Sequence, residues 1–192
     1  MQYCSYEHLH ELRTTHSATQ AVEQEISRLV TEGFLSRRTA DILNRRHLAA
    51  FVGSDLFSMV LPAKQSWREL HFNRFLPYAA LTQREEFAAQ LQGASLYVQG
   101  SLDLLLQDED GELTLCDYKT DRLRIAEPVG ECAEPDRKQA IRRQLAADHA
   151  DQLRIYADAV ASLFGKAPKR VLIYSLPLGC TVDLSDEVLS SQ

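Results

Sequence analysis

The stretch 96–119 constrains the fold more than any other part of this 192-residue chain. Residues 96–106 form an apolar run of a length that suits one largely buried strand. Asp108-Glu109-Asp110-Gly111 supplies turn chemistry, and residues 112–119 read as the returning strand. A β-hairpin is therefore expected. Two carboxylates sit inside its strands, where Asp is depleted and a buried charge is costly unless paired or bound to a metal. Asp103 interrupts the first strand, and Asp117 lies near the end of the second. Side chains alternate along a strand, so Asp117 and Lys119 share a face, and pairing of the hairpin brings Asp103 near both. The expectation is two carboxylates and an ammonium at one end of a sheet.

The remaining chain frames that hairpin. Val22, Ile26, Leu29 and Val30 recur at helical spacing, with Gly33 as a stop. Ser36 suits the N-cap of a second helix carrying Ala40, Leu43, Leu48 and Phe51. A short third helix covers Leu56, Met59 and Val60. A strand is expected at 67–75, and a loop or short helix at 82–92. Residues 121–147, rich in charge and holding Pro128, Gly130 and Pro135, read as a long loop leading into a helix. From Asp148 that helix is marked by the stripe Leu153, Tyr156, Ala157, Val160 and Phe164, closed by Gly165. Residues 171–176 form a final buried strand. The order predicts a mixed α/β fold around one sheet, in a single domain over 1–192 with a helical part at 1–62 and an α/β core at 63–192.

Composition narrows the class. Hydrophobic residues make up 45 % and charged residues 25 %, which excludes a disordered chain. No apolar run approaches the roughly 18 residues of a membrane span, and no basic-then-apolar leader opens the sequence. A cytoplasmic protein without a membrane partner is expected. The cysteines at 4, 116, 132 and 180 match no zinc or iron–sulfur spacing and read as free thiols. No G-x-x-x-x-G-K-[ST] motif is present, so no ATP site of that kind is expected.

The hairpin constellation suits phosphodiester hydrolysis. Two carboxylates can hold Mg²⁺ and leave water positions open. The metal lowers the pKa of a bound water, and the lysine orients that water or offsets charge in the transition state. An Asp-x-Lys alone is usually a solvated hairpin edge or a local ion pair. Its combination with Asp103 and the intervening turn is what points to chemistry.

Gly100-Ser101-Leu102-Asp103 and Asp117-Tyr118-Lys119-Thr120-Asp121-Arg122 together resemble the core of the PD-(D/E)xK nucleases. More narrowly they resemble the C-terminal nuclease domain of the AddA/RecB helicase–nucleases. Gln152-Leu153-x-x-Tyr156, Arg68-Glu69 and the helical stretch 26–35 extend the resemblance over nearly the whole chain. It implies a restriction-endonuclease-like core with a mixed central sheet behind an N-terminal helical segment. It implies a Mg²⁺-dependent deoxyribonuclease of exonuclease type, with Mn²⁺ or Ca²⁺ able to substitute in binding and no iron–sulfur cluster. Asp103 and Asp117 become metal ligands, joined by the Tyr118 carbonyl. Lys119 becomes the catalytic lysine, and Glu69 an acid supporting metal or water. Gln152 and Tyr156 contact DNA or the lysine. A metal-binding histidine on the first helix falls on His8, with His10 as the alternative. Cys4-Ser5-Tyr6-Glu7 departs from the family's glycine–threonine pattern there. The implied partners are single-stranded DNA and the helicase portion or partner subunit of an AddAB/RecBCD-like complex in double-strand-break repair.

Two other readings stand beside this one. The first is a weakened or inactive nuclease fold that only binds DNA or serves structure, which the altered histidine segment suggests. The second is a nuclease of the same fold in a phage or restriction setting. Charge bears on all three. The net charge is −6, and residues 100–120 carry six acids against Lys119, or −5 of that total. The acidity marks the hairpin, and the rest of the chain is nearly neutral.

Overall fold

The computed structural model describes residues 3–77, 93–121, 123 and 135–190. The expectation for 82–92, Arg122, the stretch 124–134 and Cys132 lie outside the described residues. Five short helices come first: α1 (Tyr6–Thr15), α2 (Ala18–Thr31), α3 (Arg37–Ile42), α4 (Arg45–Val52) and α5 (Asp55–Val60). Each has a side-chain N-cap: Ser5, Ser17, Ser36, Asn44 and Ser54 accept from the backbone N–H three residues on. The expected helix through Ala40 and Phe51 is two helices. Leu43 is extended at φ −66° and ψ 134°, and Asn44 caps a new start by accepting from the His47 N–H.

The sheet follows as β1 (Gln65–Pro77), β2 (Ser95–Gln107), β3 (Leu113–Lys119), β4 (Arg170–Ser175) and β5 (Cys180–Asp183), in that spatial order. The first three strands pair antiparallel. β3 and β4 pair parallel, joined through the long α6 (Pro135–Phe164), as a parallel pair requires a crossover. β5 returns antiparallel, and α7 (Ser185–Leu189) packs against α6.

Helix α6 begins well before Asp148, so 135–147 is helix rather than loop. Ile141, Leu145 and Leu153 extend the apolar stripe backward and are buried, which the surrounding charges obscured. Pro135 takes the first helical position, where no N–H is needed. Of the basic residues in this stretch, Arg142 is committed to Glu187 at 2.6 Å and Asp186 at 2.9 Å, holding α7 to α6. Among the described residues no helix is long and apolar enough to cross a membrane.

The sheet separates two apolar cores. On the α6 side, Leu102, Leu105, Leu113, Leu115, Val171 and Ile173 meet Ile141, Leu145, Leu153, Ala157 and Val160. On the other side, Leu104, Leu106, Cys116, Leu172 and Tyr174 meet Tyr6, Val22, Ile26, Phe51, Leu56 and Phe57 from the N-terminal helices. Strand alternation explains most of this partition, with one exception. Trp67, Leu70 and Phe72 of β1 all pack toward α6, as do Leu102 and Leu105 of β2. The in–out alternation therefore reverses between Trp67 and Leu70 on one strand and between Leu102 and Leu105 on its partner. Glu69 lies at that reversal with φ 51°. It falls opposite Asp103, between the pairs Arg68–Leu104 and Leu70–Leu102.

Candidate active site

The site forms where the β2–β3 ladder stops. The last ladder pair is Leu104 with Cys116. Continuing that register sets Asp103 across from Asp117, but the backbone ladder gives way to a side chain: Asp103 Oδ2 accepts the Tyr118 N–H at 2.8 Å. The carboxylate thus satisfies a donor that strand separation would otherwise leave unpaired.

Asp117 follows Leu113 and Leu115 on the face toward α6 and is 3 % exposed. Lys119, two residues on, points the same way, and its Nζ lies 2.8 Å from Asp117 Oδ2. That contact is an ion pair without hydrogen-bond alignment, so Oδ2 is a buried oxygen with no aligned donor. Lys119 Nζ donates to Gln152 Oε1 at 2.7 Å, and Gln152 Nε2 donates to the Tyr156 hydroxyl at 2.8 Å. An ammonium can only donate, so it fixes which end of the Gln152 amide faces it. Gln152 and Tyr156 are four residues apart on α6 and share one face.

Glu69 comes from β1. Its Oε2 accepts from Ser101 Oγ at 3.2 Å. A left-handed backbone at a residue with a side chain costs on the order of 1–2 kcal/mol, and such outliers gather at functional sites. The charges act on one another. Burial pushes the Asp103 carboxyl above the ordinary carboxylate range; the Tyr118 N–H opposes this, Asp117 and Glu69 raise it further, and Lys119 lowers it. The Tyr156 hydroxyl is also pushed up, chiefly by burial and against the Gln152 hydrogen bond.

Tyr118 is held from the opposite side of the sheet. Its hydroxyl lies 3.1 Å from that of Tyr6 on α1. Burial pushes the Tyr6 hydroxyl up to about 12 and raises that of Tyr118 as well. The Arg68 guanidinium sits 4.9 Å from the Tyr6 ring centroid and donates to the Cys4 carbonyl. Cys116, next to Asp117, is fully buried and its thiol is raised by burial, which makes it a packing residue.

The structure thus brings Asp117, Lys119, Gln152 and Tyr156 into one chain of contacts, with Asp103 bonded to the intervening Tyr118 and Glu69 close enough to act on Asp103. Among the described residues no hydrogen bond or ion pair joins His8 to them. The His8 backbone N–H caps onto Ser5 Oγ at 3.2 Å, its side chain is half-buried, and His10 is exposed. Among the described residues no three His, Cys, Asp or Glu side chains converge as a metal-binding group. Ser101 as the partner of Glu69, and the Arg68–Tyr6–Tyr118 brace, had no sequence signal. Both depend on pairing across β1, β2 and α1.

The hairpin thus carries two acids and a lysine where its strands part, braced by the crossover helix. The sequence profile of the PD-(D/E)XK nuclease superfamily matches residues 5–182, and the chain belongs to that superfamily. It is similar to an ATP-dependent helicase/nuclease subunit of Heliobacterium modesticaldum, at 32 % identity over 155 residues, covering 81 % of this chain and 10 % of that protein. It is also similar to the protein of the same name from Pelotomaculum thermopropionicum, at 30 % over 165 residues, covering 84 % and 11 %. The Anoxybacillus flavithermus counterpart is 25 % identical over 155 residues, covering 81 % and 11 %. The chain spans about a tenth of the length of these relatives.

Proposed function

We propose that this domain is a divalent-metal-dependent deoxyribonuclease of exonuclease type, cutting single strands delivered by an ATP-driven helicase during double-strand-break repair in the cytoplasm. The observation that carries the reading is Asp117 Oδ2: a buried carboxylate oxygen, without an aligned donor, 2.8 Å from the Lys119 ammonium and one residue from the Asp103–Tyr118 contact.

These residues fit a hard cation. The donors are all oxygens, and Mg²⁺ takes one or two carboxylates while keeping waters. Asp103 and Asp117 would hold it, with the Tyr118 carbonyl adjacent and Glu69 flanking. His8 on α1 would be a further ligand, adding an imidazole nitrogen to these oxygens. Bound there, the ion would supply an acidified water and charge neutralisation at the phosphate. Lys119 does the rest with its own protons. One is committed to Gln152 and the ammonium also faces Asp117 Oδ2, a position from which it would orient the attacking water or donate to a phosphate oxygen as charge develops. Gln152 accepts one of the ammonium's protons and so helps to orient it, and Tyr156 anchors Gln152. The helicase context rests on the relatives' name and on residue resemblance.

The test is cleavage of labelled single-stranded and duplex DNA with Mg²⁺ or Mn²⁺. The wild-type chain is expected to cut single strands. Asp117→Asn and Lys119→Met are each expected to lose about 100-fold or more, the scale for removing one preorganised charge-stabilising group. Calorimetry separates the roles: Mn²⁺ binding is lost in Asp117→Asn and kept in Lys119→Met. A wild-type chain that neither cuts DNA nor binds either ion overturns the proposal and leaves the non-catalytic nuclease fold as the reading.

A further inference from the structure

Three elements of the proposed site, α1, β1 and β3, are tied to one another behind the sheet, each at or next to its site residue. Tyr118 on β3 meets Tyr6 on α1, hydroxyl to hydroxyl, at 3.1 Å. Tyr6 is buried and stands two residues before His8. The Arg68 guanidinium lies 4.9 Å from the Tyr6 ring centroid and donates to the Cys4 carbonyl, which ties β1 to the start of α1 beside Glu69. Strand alternation turns the Tyr118 ring toward the N-terminal helices, while Asp117 and Lys119 face α6.

The β3 backbone at this point has a strand ladder on one edge only. The Lys119 carbonyl accepts the Leu176 N–H at 2.9 Å, so Asp117 and Lys119 turn their peptide groups toward β4. Tyr118 turns its own the other way, into the gap where the β2–β3 ladder has ended at Leu104–Cys116. Its N–H donates to Asp103 Oδ2 at 2.8 Å, and its carbonyl leaves the strand on the same edge. Among the described residues no ladder bond fixes that edge. The Tyr118 side chain supplies a hold instead: its ring lies edge-on to Phe51 at 5.5 Å, and its hydroxyl is bonded to that of Tyr6.

We infer that Tyr6 is a positioning residue for the proposed metal site: its hydroxyl contact sets where the Tyr118 carbonyl stands against the Asp103 carboxylate, and so how well the two take one divalent cation. The inference rests on the divalent-metal reading and adds a residue that acts through Tyr118 without touching the ion. Ring packing alone does not call for the hydroxyls, since phenylalanine fills the same space. A buried hydroxyl is costly unless it is bonded. The pair is therefore a constraint as well as a contact, because each hydroxyl must stay where the other can reach it.

The experiment titrates Mn²⁺ into the full chain by calorimetry without DNA, and records thermal melts in EDTA, for wild type, Tyr6→Phe, Tyr118→Phe, the double variant and Phe57→Leu. Phe57 packs edge-on against Tyr6 at 5.7 Å and has no part in the hydroxyl pair, so its variant reports on packing alone. Each single phenylalanine variant is expected to weaken Mn²⁺ binding roughly 10- to 100-fold, the range for losing a group that orients a metal ligand. The double variant is expected to bind no worse than either single, because the same contact is lost in all three. It should also melt above Tyr118→Phe, because it leaves no buried hydroxyl unpaired. Phe57→Leu should melt below wild type and bind Mn²⁺ as wild type does. Unchanged Mn²⁺ affinity in Tyr6→Phe, or no binding by the wild type, overturns the inference. So does affinity that returns with the melt in the double variant, or a loss in Phe57→Leu equal to that in Tyr6→Phe; either would make the pair a part of the core and nothing more. A wild type that binds Mn²⁺ through the pair but cuts no DNA keeps the positioning role and removes the nuclease reading. A wild type that cuts, with Tyr6→Phe cutting equally at every Mn²⁺ concentration, does the reverse.

Discussion

Asp103 carries a cost that its surroundings explain. Burial and the neighbouring Asp117 and Glu69 raise its carboxyl above the ordinary value, so at neutral pH the fold holds a charge it disfavours. The sign of the consequence follows from linkage. A carboxyl raised in the folded state adds stability only while protonated, below the unfolded value of about 3.9, and loses it as pH rises through the folded value. Asp103→Asn keeps an oxygen to accept the Tyr118 N–H and drops the charge. In metal-free buffer it is expected to melt at a higher temperature than wild type at pH 7, with the gap closing as pH falls below about 4. A melting series from pH 7 to 3 checks this, and a gap that persists at pH 3 refutes the electrostatic account. At this scale the residue types were legible, because Asp103, Asp117 and Lys119 are charges set in apolar strands. The left-handed Glu69 was not, since a positive φ in a residue with a side chain leaves no mark on composition.

The strand pair β1–β2 depends on a close approach at Gly100, which sits opposite Phe72. A Cβ at Gly100 would meet two Phe72 ring carbons at 2.7 and 2.8 Å, with Tyr156 at 3.6 Å. The ring of Phe72 lies over the bare glycine and reaches Tyr156, the residue that anchors Gln152 and through it Lys119. This gives the Gly-x-x-Asp spacing a physical meaning: the glycine admits the ring three residues before the acid. Gly100→Ala is expected to cost about 1–3 kcal/mol through overpacking. Adding Phe72→Leu should recover part of that loss, and a double-mutant cycle in denaturant reads the coupling; additive costs would show that the contact is unimportant. The hairpin was readable from its apolar runs and Asp-Gly turn, where Gly111 takes φ 77°. The first half of α6 was hidden because Ile141 and Leu145 are sparse among charges. β5 and α7 were missed because each is only a few residues long, too short for periodicity to register.

The molecule as a whole is one sheet between two cores, and neither layer of helices is dispensable. Leu104, Leu106, Cys116, Leu172 and Tyr174 are all buried under the N-terminal helices. The division at residue 62 is therefore a change of secondary structure within a shared core. A fragment of 63–192 is expected to lack cooperative melting and to bind a hydrophobic dye, because it exposes that entire sheet face. A sharp two-state transition in that fragment would show the helical layer to be an accessory. The α/β class was legible from element order. The pleat reversal at Glu69 and Asp103 was not, because it arises only when two strands pair. The same geometry has a consequence in time. The contacts of the site join residues far apart in sequence, from Glu69 with Ser101 to Lys119 with Gln152. The parallel β3–β4 pairing closes only after all of α6 has been made. Loops of that length close late, after local helices and the hairpin have formed. A ribosome-bound chain that has emerged only as far as Lys119 holds both acids and the ammonium but no Gln152 to set the lysine. The Lys119–Gln152 geometry is thus reserved for the finished fold.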